Sequence, residues 1–168
     1  MHIQKGIIIL LFCGLSHISQ ADTDIHFSGV LVAEPCQLAT DSEEQIVDFG
    51  SIAARQFINS QLTPSKSFSI RLTECDLSVG QNVTVTFTGD ESAEQPGLFA
   101  VVGEAKGIAV LLMNDDEQTI LPGKSISSLL LSGNENTFTF QAAVSGPDFS
   151  SVTAGEFAST LIFSLEYN

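Results

Sequence analysis

Short runs in which apolar residues occupy every second position recur along this chain, and a strand is the element whose side chains alternate between two faces with that period. The clearest runs are Thr23, Ile25, Phe27, Gly29 and Leu31; Phe68, Ile70 and Leu72; Val83, Val85 and Phe87; Phe138 and Phe140; and Leu161, Phe163 and Leu165. No comparable run falls at helical spacing. Gly, Pro, Asn and Asp separate the segments, as at Asp48–Gly50, Gly89–Asp90, Gln95–Gly97, Leu121–Gly123 and Ser145–Pro147. Many short strands with frequent turn chemistry predict an all-β sandwich or barrel, and 168 residues suit one folded domain. Gly107–Met113 is apolar on both faces, which predicts a central strand covered on two sides, with a short buried helix as the alternative. Asp41–Ser67 is the least regular stretch and is expected to carry edge strands and a long loop.

The N-terminus sets the compartment. Lys5 precedes the apolar run Gly6–Gly14, and small residues stand at Ser19 and Ala21. These are the parts of a secretory signal peptide, expected to span residues 1–21 with cleavage after Ala21, or after Gln20 as the alternative. The apolar run is much shorter than the roughly 20 residues that cross a bilayer, so no membrane span is expected. Cys13 would leave with the signal, and only Cys36 and Cys75 would remain. In an exported protein, an even pair reads as one disulfide.

The whole chain carries a formal charge of -14. Removing residues 1–21 takes away Lys5 and leaves five bases against all 20 acids, a charge of -15. Such a surface does not neutralise phosphates, so nucleic acid is not an expected partner. The exported segment keeps a single histidine, His26, and has no nucleophile-elbow turn, so no familiar triad can be assembled. The acidic clusters Asp41–Glu44 and Asn114–Glu117 lack the ligand order of a calcium loop and read as solvated loops. No catalytic residue, cofactor or metal is expected, and the chain reads as no enzyme. A secreted enzyme or ligand binder on a β-sandwich is the competing class.

The two ends and the cysteine pair together carry a resemblance. The export signal is followed by Ile25, Phe27, Gly29 and Leu31, then Pro35 and Cys36. Phe68–Cys75 and Val83–Gly89 follow as the second cysteine strand and its successor. Gly155 is the 14th residue from the C-terminus and Tyr167 the penultimate one, with Leu161, Phe163 and Leu165 alternating between them. In this combination the chain resembles the fimbrial subunits of the chaperone-usher class, the pilins of type 1 and P fimbriae. Taken singly, the same features have plainer readings: a turn glycine, a terminal aromatic, and a first strand that completes its own sheet.

The resemblance implies an immunoglobulin-like β-sandwich lacking its last strand, formed by residues 36–168 and preceded by a donor-strand extension, residues 22–35. By carry-over, Thr23, Ile25, Phe27, Gly29 and Leu31 insert into a neighbouring subunit. Gly155, Leu161, Phe163, Leu165 and Tyr167 form the strand beside the subunit's own groove and meet the chaperone. The implied partners are a periplasmic chaperone, an outer-membrane usher and neighbouring pilins in a head-to-tail fibre, with transit through the periplasm to a fimbrium on the cell surface. The middle of the chain looks closer to minor P-fimbrial subunits, so a minor or adaptor pilin serving adhesion as part of the fibre is expected. The major rod subunit is the alternative. A one-domain chain argues against a tip adhesin.

Overall fold

The computed structural model describes residues 25–31, 33–126 and 128–168. The expected signal peptide, Cys13 and Thr23 lie outside the described residues. The chain divides into two units, 1–31 and 32–168. In the first, residues 25–31 have no assigned helix or strand, and their apolar side chains are exposed: Phe27 is 92% accessible.

Among its described residues the second unit holds nine strands: β1 (Gln37–Leu38), β2 (Lys66–Thr73), β3 (Asn82–Thr88), β4 (Val102–Gly103), β5 (Ala109–Asn114), β6 (Leu129–Leu130), β7 (Asn136–Ser145), β8 (Phe157–Ala158) and β9 (Ile162–Tyr167). All pairings among them are antiparallel. One sheet has the order β1-β2-β7-β5, a second β6-β3-β9, and β4 and β8 make a two-stranded ribbon.

Alternation decides which side chains meet between the sheets. Ile70 and Leu72 of β2, Val83, Val85 and Phe87 of β3, and Phe140 and Ala142 of β7 point inward and are buried. Their neighbours Ser69, Arg71, Thr84, Thr86 and Thr139 point outward. Phe68, Phe87 and Phe140 pack as an aromatic knot, with Phe87 and Phe140 edge to face at 5.0 Å between centroids. Such pairs contribute about 0.5–1.5 kcal/mol beyond their burial. Cys36 and Cys75 are joined in a disulfide that ties the approach to β1 to the end of β2.

Two local expectations are corrected. Asp41–Ser67 forms no edge strand before β2 begins at Lys66; it carries a short helix α1 (Thr40–Glu43) and a 3-10 turn (Ala54–Ile58). The short helix is pinned by its polar side chains. The Ser42 hydroxyl accepts from the Arg71 amide at 2.9 Å, and the Arg71 guanidinium donates to Asp41 at 2.6 Å. The second correction concerns Gly107–Met113, which does contain strand β5, with Ala109–Leu112 all buried. That strand ends its sheet rather than lying in the middle. Its outer edge is covered because Phe99 and Val110 exchange two backbone bonds of 2.9 Å, and the Ile120 amide donates to Leu112 at 2.8 Å. Asn114–Glu117 forms the turn between these segments, with the Glu117 amide donating to the Asn114 carbonyl at 3.1 Å.

Candidate functional site

Strand β9 has a partner on one side only. It pairs with β3 from Val83 opposite Tyr167 to Thr88 opposite Ile162, and no other described strand pairs with it. Beyond the last pair, Asn82 and Asn168 exchange two backbone bonds of 3.2 and 3.0 Å. In an antiparallel ladder, bonded and non-bonded positions alternate. The even-numbered residues of β9 therefore turn their backbone groups toward β3. Phe163, Leu165 and Tyr167 turn their N–H and C=O groups outward, along an edge with no described partner. The same three side chains pack toward the core. One edge thus offers both a row of main-chain hydrogen bonds and an apolar surface.

Beside that edge lies a groove of about 1270 Å³. Residues 155–163 make one bank and residues 42–52 the other. Its floor is the sandwich core itself, including Phe68, Ile70, Phe87, Val110, Leu112 and Ala142. Along the second bank, residues 45–52 lie in no helix or strand and form no backbone–backbone hydrogen bond among the described residues. The two contacts there use side chains: the Gly50 amide donates to Asp48 at 2.7 Å, and the Gln45 side chain donates to the Ser69 carbonyl at 2.8 Å. Both banks therefore carry unused main-chain groups, and an extended segment laid between them can bond to each while burying alternate side chains on the floor.

The groove is acidic at its rim. Glu43, Glu44, Asp48 and Glu156 line it, and no Lys or Arg is among its described lining residues.

The structure places the sequence-predicted residues unevenly. Leu161 and Phe163 line the groove, and Phe163 lies opposite Phe87. Leu165 and Tyr167 continue the same face beyond the groove lining, against the core. Burial, with the nearby Glu34 charge adding to it, raises the Tyr167 phenol above its ordinary value. Gly155 lies at the end of the groove, where a side chain has no room: a Cβ there would come within 2.6 Å of the Glu104 side chain and 2.7 Å of the Ala105 amide nitrogen. That close approach lets the Glu156 carbonyl accept from the Glu104 and Ala105 amides at 2.9 and 3.2 Å. Ile25, Phe27, Gly29 and Leu31 are exposed in the separate N-terminal unit.

The second bank, including Val47, Phe49 and Ile52, lay outside the site expected from the sequence. Its signal was present but slight: two apolar residues at alternate positions, cut short by Gly50.

Comparison with known proteins fits this geometry. A family model described as "Fimbrial protein" matches residues 25–168. Among curated proteins, the chain is 34% identical to a fimbrial adapter, PapK of Escherichia coli, over 95% of this chain and 96% of the relative. It is 30% identical to the fimbria A protein of Serratia marcescens over 94% of each. Among solved structures, the P pilus rod subunit PapA superimposes with a TM-score of 0.72 at 21% identity, covering 80% of this chain and all of PapA. At that identity the likeness establishes the fold alone. A type I fimbria protein of Burkholderia pseudomallei aligns at 28% identity with a TM-score of 0.60, over 79% of this chain and 89% of its own.

Proposed function

This chain belongs to the fimbrial protein family and is a structural subunit of a fimbria, and we propose that it joins the fibre by exchanging strands with its neighbours, as a minor or adaptor pilin. The observation that carries this reading is the unpaired edge of β9 above an open core. An unpaired edge over exposed apolar surface is an aggregation hazard unless another strand covers it. In the proposed cycle a periplasmic chaperone lends that strand first, an outer-membrane usher receives the complex, and the N-terminal extension of the next subunit then takes the strand's place.

Residues 1–21 act as the export signal, 22–35 as the donor extension and 36–168 as the pilin domain. Ile25, Phe27 and Leu31, with Thr23 and Gly29, fill a neighbour's groove. Leu161 and Phe163 wall this subunit's own groove, Leu165 and Tyr167 extend its edge, and Gly155 closes its end. The contact is head-to-tail, so repetition gives an open filament. Similarity to a relative called a fimbrial adapter, and 31% identity to one called a minor pilin, support the adaptor assignment.

Refolding the mature chain at low concentration tests the reading. With a synthetic peptide of residues 22–34 in large excess over the extension that the chain itself carries, soluble monomeric complex is expected; without added peptide, oligomers and aggregates are expected. Equal yields of stable monomer in both samples overturn the proposal.

A further inference from the structure

The charge around the groove bears on which strand it accepts. Four carboxylates, Glu43, Glu44, Asp48 and Glu156, stand on its two banks, and the described lining contains no base to offset them. Glu43, Glu44 and Asp48 belong to one bank and Glu156 to the other, so an inserted strand passes between negative charges on both sides. None of the four has an ion-pair partner among the described residues, where the one salt bridge joins Arg71 to Asp41.

The chain's own extension is poorly matched to such a rim. If Thr23, Ile25, Phe27, Gly29 and Leu31 face the floor, the alternate positions Asp22, Asp24, His26, Ser28 and Val30 face outward, at the level of the banks. Asp22 and Asp24 add two negative charges there, against the single positive α-amino group that cleavage after Ala21 leaves on Asp22, and Glu34 follows. No Lys or Arg occurs anywhere in residues 22–34. Like charges brought together at an interface slow encounter and suppress the wrong partner, whereas opposite charges speed docking.

We propose that the groove selects against this chain's own extension and takes a donor strand from a different subunit, one that carries Lys or Arg at its outward-facing positions. The apolar alternation supplies affinity common to any donor of this class, and the acidic rim supplies discrimination. The inference rests on the strand-exchange reading above and deepens it, because a subunit that rejects its own kind occurs singly in a fibre, as an adaptor does, and not in long runs.

A competition experiment separates the two ideas. The mature chain is refolded with equal amounts of two peptides, residues 22–34 as they stand and the same peptide bearing Asp22→Lys and Asp24→Lys. The bound fractions are read by native mass spectrometry. At about 10 mM salt, where charges act over about 30 Å, the lysine peptide is expected to outcompete its parent by roughly five- to tenfold. At about 1 M salt, where that range falls to about 3 Å, the ratio should approach one. The rim variant Glu43→Gln, Glu44→Gln, Asp48→Asn, Glu156→Gln should lose the preference at low salt while still binding both peptides. Equal capture of the two peptides at low salt overturns the charge selection and leaves strand exchange standing. If neither peptide is retained, strand exchange itself fails, and the inference with it.

Discussion

Phe163 stands opposite Phe87 across strands β9 and β3, with ring centroids 6.2 Å apart and planes tilted by 51°. Phe87 is buried and edge to face with Phe140, while Phe163 is half-buried and lines the groove. The pair joins the closed core to the open one. Phe163→Ala is expected to destabilise the peptide-filled protein by about 2 kcal/mol, below the roughly 3–5 kcal/mol of a fully buried Phe. Urea unfolding of the complex, with the wild type alongside, measures the difference.

Phe27→Asp puts a carboxylate where an apolar side chain is expected to enter a neighbour's groove, and burying an unpaired charge is costly. A peptide of residues 22–34 with this change should bind at least about tenfold more weakly than its parent, equivalent to about 1.4 kcal/mol. Fluorescence competition with a labelled parent peptide reads this directly, and equal affinity would remove Phe27 from the donor face.

Cys36 and Cys75 close a loop of sequence separation 39. Replacing both with Ser frees that loop in the unfolded chain and should cost about 4 kcal/mol. The expected outcome is a steep fall in folded yield on export, measured by quantifying soluble subunit in the presence of a strand donor.

Gly155→Val directs a branched side chain into the Glu104–Ala105 backbone, which a Cβ alone would approach to 2.6–2.8 Å. The β4–β8 ribbon should separate and the end of the groove change shape. Loss of amide-exchange protection at Glu104 and Ala105, with weaker peptide binding, is the expected result.

The hydrogen bond from Arg71 lowers the Asp41 carboxyl below its ordinary value, and both groups are exposed. A carboxylate depressed in the folded state adds stability above its unfolded value, and that stability is lost as pH falls through the folded value. Asp41→Asn should therefore be slightly less stable than wild type at neutral pH, with the gap closing as the pH falls below the ordinary Asp value of about 3.9 and through the lower folded one. Urea midpoints measured at neutral pH and below both values check the sign.

Much of the sandwich is legible in the chain because period-2 patterning acts over consecutive residues. The runs Phe68–Leu72, Val83–Phe87 and Leu161–Leu165 each place alternate side chains on the core face. The bank at 42–52 was not legible, since its conformation depends on distant partners: Ser42 and Asp41 reach Arg71, and Gln45 reaches Ser69. Local propensity carries no record of those contacts. The place of β5 at the end of its sheet escaped for a related reason: Phe99 and Ile120 shield its outer edge, so its composition matches that of an interior strand. Gly155 was singled out only through the family resemblance, and the reason a side chain has no room there, the backbone of Glu104 and Ala105, emerges only in three dimensions.

The free edge of β9 also alters what stability means for this molecule. If the last strand comes from a second molecule, folding is completed by a bimolecular step, and mass action enters the free energy of the native state. Each tenfold rise in free donor above its dissociation constant adds about 1.4 kcal/mol. Dilution then acts as a denaturant on the isolated subunit. Inside a filament the donor is held next to its groove by the fibre itself, so the local concentration stays fixed however dilute the surroundings become.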